Sequence, residues 1–425
     1  MSAGSSSAGA SFLSSDRVSV LVASDWAPIR AFDPVIRGDP AAVYGDMLPV
    51  LRAADLRIVN CECALASGGR PVWKSGAVFK GLPAHAAGLT AVPFEVACLA
   101  NNHVFDYGLS GFRETLNVLR RNGVSTVGAG LTFEEATAAL SVTVKGQRVT
   151  IVNFSEGEDL TASLGGPGVC GWEIERLAGL VRKAKKRGDF VIAVGHAGLE
   201  YVPFPPPYVV DAFRALSDAG ADCVAGHHPH VPQGLEMRRG RLIAYSLGNF
   251  AFYQPPELHY RRTGFCLSLD VRAGRLASYD IHPYRITEQG LRALDRGERR
   301  RFRDALGRVS RPLGSTKGVA EAWQAYLDHY GPMGFKAEVL GILDKMEKEP
   351  RKGAAMFRNR LTTLQHAELW RDALTRFMSE KPAAVRPAWT KIVDEWLTKP
   401  IAARKDRSAF RPARSAVRPN RRSPR

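Results

Sequence analysis

The sequence predicts an α/β protein, and three observations carry that prediction. Short apolar runs of strand length alternate with segments whose apolar residues recur every three or four positions, the period of a helix packed on one face. One run after another ends in a group able to bind a cation: Asp25, then Glu62, then Asn102 with His103, then His196, then the knot His227-His228-Pro229-His230. In open α/β sheets the loops at the carboxyl ends of strands converge on one ligand site. The composition, 45% hydrophobic and 24% charged over 425 residues, is that of a folded chain with room for one large domain or two ordinary ones.

Taken in order, residues 1–15 are a Ser/Gly/Ala lead-in expected to be disordered. This lead-in has no basic segment followed by an apolar one, so no secretory signal is read there. Residues 18–23 form a first buried strand closed by Ser24-Asp25-Trp26. Residues 55–60 form a second, ending at Cys61-Glu62, and 96–100 a third, running into Asn101-Asn102-His103. A helix over 110–121 buries Phe112, Leu116 and Leu119 and stops at Asn122-Gly123. Another over 172–187 buries Ile174, Leu177, Val181 and Ala184. Its last turn is rich in Lys and Arg, which suits the negative end of the helix dipole. Strand 190–194 delivers Gly195-His196. A stiff proline loop and a helix over 208–219 lead to strand 222–226 and the histidine knot. Residues 241–250 read as one strand, and 264–271 as another that turns at Ala273-Gly274.

Beyond residue 287 the texture changes to charged helical segments over 291–309, 319–330, 335–348 and 353–378. Phe357, Leu361, Leu364, Trp370, Leu374 and Phe377 form an apolar stripe there, read as packing. Residues 288–400 are therefore taken as a helical extension of a catalytic domain spanning 16–287. From Arg404 to Arg425 nine Arg or Lys stand against one Asp, so the tail from 401 supplies much of the net charge of +17. That tail is expected to be disordered and able to touch nucleic acid, anionic lipid or another polyanion. Six cysteines without a paired framework fit a reducing compartment. No run reaches the roughly 18 apolar residues of a membrane-spanning helix, so a cytoplasmic protein is expected.

Mixed carboxylate, amide and imidazole groups at successive strand ends are the ligand chemistry of Mn, Fe or Zn. A carboxylate shared by two ions, with separate histidines on either side, makes a two-metal site that activates water and clamps a displacement at phosphorus. Leaving-group protonation then needs an acid near the ions but not bound to them. His103 fits, with Asp106 three residues on to orient its ring. Singly, each residue also has an ordinary structural explanation: His196 as a satisfied core histidine, Asn102-His103 as a turn, Asn249 as a loop amide. Lys74 and Lys80 read more readily as solvated surface than as contacts for an anionic substrate. Co-occurrence at separate strand ends is the argument.

Those residues, with Asn60-Cys-Glu62, Ala100-Asn-Asn-His103 through Asp106-Tyr-Gly108, Gly195-His196 through Glu200-Tyr201, and Tyr245-Ser-Leu-Gly-Asn249-Phe250, resemble the successive motifs of the capsule-synthesis CapA family. That family is implicated in poly-γ-glutamate capsule synthesis or export and is similar to the calcineurin-like metallophosphatases. The resemblance covers roughly residues 17–286, leaving out the helical extension and the tail. It implies a calcineurin-like four-layer α-β-β-α sandwich with a dinuclear centre. Asp25 and His230 would hold the first of two divalent transition-metal ions, Glu62 would bridge, and Asn102, His196 and His228 would hold the second. His103 would be the acid, and His227, Glu200, Tyr201 and Asn249 would lie around the pocket. Where the broader phosphatases place a histidine two residues after the first Asp, this chain has Ala27, so the first ion is expected to bind more weakly. The function so implied is a metal-dependent hydrolase of capsule or anionic-polymer biosynthesis acting on an anionic substrate, together with other capsule-synthesis proteins. The rival expectations are a non-catalytic accessory protein that binds a polyanion, and nucleic-acid binding through the tail.

Overall fold

The computed structural model describes residues 17–157, 161–162 and 165–401. The lead-in 1–15 and the basic tail from residue 402 onward lie outside the described residues. Ile401, where the expected tail begins, donates its backbone N–H to the Glu257 carbonyl at 2.9 Å.

In chain order the principal strands are β1 (Arg17–Ala27), β2 (Leu56–Cys61), β3 (Val96–Cys98), β4 (Ser125–Val127), β5 (Leu140–Val144), β6 (Gln147–Ser155) and β7 (Phe190–His196). They continue with β8 (Cys223–His227), β9 (Leu235–Arg238), β10 (Arg241–Ala244), β11 (Asn249–Phe252), β12 (Thr263–Arg272), β13 (Arg275–Ile286) and β14 (Leu291–Ala293). The helices used below are α1 (Phe32–Gly38), α2 (Gly108–Arg121), α3 (Ile174–Lys186), α4 (Pro207–Ala219) and α5 (Arg296–Ser310). Four more follow: α6 (Thr316–Lys348), α7 (Pro350–Thr362), α8 (Leu364–Met378) and α9 (Pro387–Thr398).

Two sheets face each other. The first runs β14-β13-β12-β1-β2-β3-β4, with β11 pairing the end of β1; the second runs β9-β10-β8-β7-β6-β5. Period-2 alternation explains why β1 reads as continuously apolar: Val18, Val20 and Val22 point between the sheets while Leu21 and Ala23 point outward. Ile192, Val194, Cys223 and Ala225 meet the inward valines from the second sheet. Phe32 and Ile36 of α1 with Phe112 and Leu119 of α2 cover the first sheet. Leu177 and Val181 of α3 with Val209, Phe213 and Leu216 of α4 cover the second. The result is the four-layer α-β-β-α sandwich. All six cysteines are buried free thiols.

The C-terminal helices pack on this sandwich. Trp389, Val393 and Trp396 of α9 and Phe302, Leu306 and Val309 of α5 join the inter-sheet core. Trp396 lies flat on Tyr260, ring centroids 3.6 Å apart, and donates its indole N–H to the Pro232 carbonyl at 3.1 Å. Trp323 and Leu327 of α6 with Leu369 and Ala373 of α8 enclose Leu199 and Val202, on either side of Glu200-Tyr201 in the loop after β7.

Four boundaries differ from the sequence reading. Residues 241–250 are two strands in different sheets: β10 belongs to the second, β11 to the first, and 245–248 cross between them. Gly248 makes the crossing possible, because its φ of 74° is left-handed and a Cβ there would sit 2.8 Å from the Thr263 carbonyl oxygen. Residues 291–293 pair as β14, and the helix expected from 291 starts at Arg296, where Asp295 and Glu298 form a capping box. The segments 319–330 and 335–348 belong to one element interrupted at Gly331, whose φ is 53°, just before Pro332. The helix expected over 353–378 is two, α7 and α8, divided at Thr363, whose backbone is extended.

Candidate metal centre

Each site residue sits where a strand of one sheet or the other runs out. Pairing of β1 with β2 slips between Val22 and Asp25, and its pairing with β11 slips between Asp25 and Ala27. Such bulges turn a side chain off its normal face, and here they set Asp25 fully buried between the sheets. Glu62 follows β2, Asn102 follows β3, His196 ends β7, and the histidine knot follows β8.

Two clusters result, and Glu62 belongs to both: Asp25, Glu62 and His230 in one, Glu62, His196 and His228 in the other, with ligand atoms in each within 4.8 Å of one another. His196 Nε2 lies 3.5 Å from Glu62 Oε1, 3.0 Å from Asn102 Oδ1 and 3.1 Å from His228 Nδ1. His230 Nε2 lies 3.8 Å from Glu62 Oε1. All six predicted ligands thus come to one place, from both sheets.

The donor set fits cations. Both carboxylate oxygens of Glu62 and Oδ2 of Asp25 are buried with no hydrogen-bond partner among the described residues. An unpaired buried carboxylate is costly unless something positive meets it. His230 Nδ1 is 2.9 Å from Asn249 Oδ1 and 3.4 Å from Asp25 Oδ2, so its proton is directed to the amide and Asp25 Oδ2 is left open. The electrostatics separate the two acids. Burial, then the negative charges of Asp25 and Glu200, push the Glu62 carboxyl well above its usual range. Burial would raise Asp25 too, but the imidazoles of His227 and His230 outweigh it and hold it well below. Burial, then the charge of His228, holds His196 well below its ordinary value, and neutral imidazole is the form that binds a metal.

Beside the clusters, His103 Nδ1 meets Asp106 Oδ2 at 2.7 Å, and Phe79 stacks on the imidazole with centroids 4.1 Å apart. Asp106 also accepts from Lys74 Nζ at 3.0 Å and from the Phe79 backbone N–H at 2.6 Å. Burial opposes ionisation of Asp106, but the charges of His103 and Lys74 prevail and lower its pKa. Lys74 is thereby corrected: it is 1% exposed, and it also donates to the Asn102 carbonyl. Lys80 is half-buried, its ammonium 4.9 Å from the Tyr107 ring centre.

The surrounding residues divide. His227 Nδ1 lies 3.4 Å from Asp25 Oδ1 and 3.2 Å from Ser24 Oγ. Asn249 is buried against His230, and the Tyr201 ring is 5.9 Å from the His230 ring. Glu200 is open to solvent yet ringed by protein, which puts it in a recess; the walls would raise its pKa, and the charges of His230 and His228 lower it instead. Ala27 is buried at the end of β1. Sequence reasoning missed Gln365 of α8, whose side-chain amide reaches His228 Nε2 at 2.9 Å. In its better-satisfied orientation that amide also donates to Glu156. No spacing signal marks it, because it lies in a helix far along the chain. Asn60 enters the sequence reading only as part of a motif; its amide bridges Asp25 Oδ1 at 2.9 Å and His196 Nδ1 at 3.3 Å.

Backbone conformation marks the same place. Seven non-glycine residues among those described have positive φ, and three of them, Lys145, Arg239 and Ala273, precede a glycine in two-residue hairpin turns that require it. The other four are Arg30, Tyr201, His228 and His230, all around this centre. Left-handed backbone at bulky residues costs about 1–3 kcal/mol each and concentrates at functional sites.

A four-layer sandwich with one carboxylate shared by two candidate ligand clusters at its strand ends has the calcineurin-like, metallophosphatase-like fold. The family described as bacterial capsule synthesis protein PGA_cap matches residues 19–254, and the chain belongs to it. The PGA biosynthesis protein CapA of Bacillus subtilis (strain 168) is 38% identical over 164 residues, 38% of this chain and 43% of that protein. The capsule biosynthesis protein CapA of Bacillus anthracis is 36% identical over 167 residues, 38% of this chain and 41% of that one. The chain therefore matches less than half the length of these two relatives. A Mycobacterium tuberculosis protein, named a probable polyglutamine synthesis accessory protein, is 30% identical over 294 residues, 64% of this chain and 77% of that one. Among solved structures, a 5'-nucleotidase precursor from Thermus thermophilus aligns with a TM-score of 0.42 at 14% identity, over 65% of this chain and 56% of that one. Among the described residues no helix is long and apolar enough to cross a membrane.

Proposed function

We propose that the protein is a metal-dependent hydrolase acting on a phosphoester, or on a bond in an anionic-polymer substrate, within capsule or related polymer biosynthesis. The observation that carries this is Glu62: shared by both clusters, fully buried, and with neither oxygen hydrogen-bonded among the described residues. Asp25, Glu62 and His230 would hold one divalent ion, and Glu62, Asn102, His196 and His228 the other. When bound, such a pair of Mn, Fe or Zn ions lowers the pKa of water and stabilises charge on a transferring group.

The chain's own residues supply the rest. Asp106 accepts from His103 Nδ1 and stabilises the imidazolium, the form whose Nε2 carries a proton to give to a leaving group. Lys74 holds Asp106 ionised, and Phe79 fixes the plane of the imidazole. Asn249 and Asn60 set the rings of His230 and His196. The names of the Bacillus relatives support placing the reaction in capsule biosynthesis, alongside other proteins of that pathway.

Replacing Glu62 or His228 with Ala should abolish both metal loading and turnover of an activated aryl phosphodiester; turnover surviving both changes would remove the reading. The second reading, an accessory role, rests on Ala27 standing where the broader phosphatases have a further histidine. Protein that retains well under one metal per chain, and hydrolyses nothing after Mn or Zn is added, would favour that role over the hydrolase.

A further inference from the structure

An arc of stacked rings runs over the centre and ends in two cations. Phe79 stacks on His103, and Phe252 stands edge-on to His230 at 5.2 Å. The Arg30 guanidinium lies over both of these rings, 5.3 Å from Phe79 and 5.9 Å from Phe252. Tyr201, its ring 5.9 Å from that of His230, carries the Arg261 guanidinium 3.5 Å from its ring centre. Arg30 and Arg261 therefore both border the aromatic rings packed on the candidate acid His103 and the candidate ligand His230.

Neither pairs with a carboxylate among the described residues. Arg57, Arg148, Arg214 and Arg238 each pair with a carboxylate. Arg30 is exposed, and one Nη donates to the Tyr253 carbonyl at 3.2 Å. Arg261 Nε is buried and has no hydrogen-bond partner among the described residues. Glu200, the acid on this rim, is bonded to Tyr201 and faces His230 and His228. An aromatic face under a guanidinium holds its plane and leaves its N–H edge free for a planar, two-oxygen partner. Arg30 keeps a left-handed φ of 58° in the turn closed by the Phe32 N–H on the Ile29 carbonyl, which leads from β1 into α1.

We infer that Arg30 and Arg261 form an anion-binding subsite that takes carboxylates of an extended polyanionic chain beside the reacting bond. The identity of the reacting centre rests on the function proposed above; binding to the two arginines does not.

The test is calorimetric titration of the metal-loaded protein with a short synthetic oligoglutamate, and with oligoglutamine of equal length as the neutral control. Oligoglutamate should bind, more weakly as salt rises, and oligoglutamine should not. Arg30→Gln and Arg261→Gln should each weaken binding about tenfold, and the double variant about a hundredfold. Metal content should stay the same, and Arg261→Lys, which keeps the charge but not the fork, should fall between. Equal affinity for both oligomers, or unchanged affinity in the double variant, would overturn the subsite. Arginine-dependent binding without hydrolysis of aryl phosphate would retire the hydrolase reading and leave the subsite standing.

Discussion

Glu62→Gln should make the metal-free protein more stable, the reverse of the usual result for a change in a core. Glu62 is fully buried, both its oxygens lack partners, and Asp25 is beside it. A buried acceptor without a partner costs about 1–3 kcal/mol. Glutamine keeps the volume, removes the cost of burying or protonating the acid, and can donate an N–H toward Asp25. The expected gain is about 2 kcal/mol, a rise of a few degrees in Tm for a domain of this size. Added metal should reverse the order. An ion at about a hundredfold its Kd contributes about 2.7 kcal/mol to a protein that binds it, and the variant has lost the shared ligand. Thermal melting in chelator and then in excess Mn or Zn reads both effects. A variant that melts below the parent in chelator, or gains as much from metal as the parent does, would refute the reasoning.

Asp106→Ala should cost about 1–3 kcal/mol in stability, since it removes a buried carboxylate that is hydrogen-bonded to Lys74, His103 and the Phe79 backbone N–H. The milder Asp106→Asn should preserve metal content while lowering kcat about a hundredfold, through loss of control over the His103 proton. Gly226→Ala should fail to give folded protein at ordinary growth temperature, because the new Cβ would lie 2.0 Å from the Tyr245 carbonyl oxygen in a packed strand. Glu395 has its pKa brought down to about 2: burial opposes this, but Arg308, Lys399 and Tyr260 outweigh it. Its contribution, about 1 kcal/mol after solvent screening, is present above pH 4.5 and disappears as pH falls toward 2. Acid melts of Glu395→Gln should lack that part of the pH dependence.

The strand ends were legible because each combines two independent signals: an apolar run buried on both faces, and a polar group just past it that no turn requires. Asp25, Glu62, Asn102, His196, His228 and His230 could be picked out that way and do converge. The change of sheet at 245–248 was not legible, because its strands are apolar on both sides and only the backbone of Gly248 reveals the crossing. Lys74 was misread since a lone lysine far from any strand gives no sign of a buried acid 32 positions away. Gln365 was invisible for a similar reason: its partner His228 is 137 residues distant, and helical periodicity does not say which polar residue faces a cleft.

The passage from β10 to β11 at 245–248 has a mechanical consequence. Asp25 and Glu62 hang from one sheet, His196 and His228 from the other, and this crossing is one of the seams that stitch the two together. A small slide of one layer past the other would separate the acids from the imidazoles well before either layer frayed. Loading the centre should therefore act as a rivet, slowing amide exchange in β2 and β7 alike.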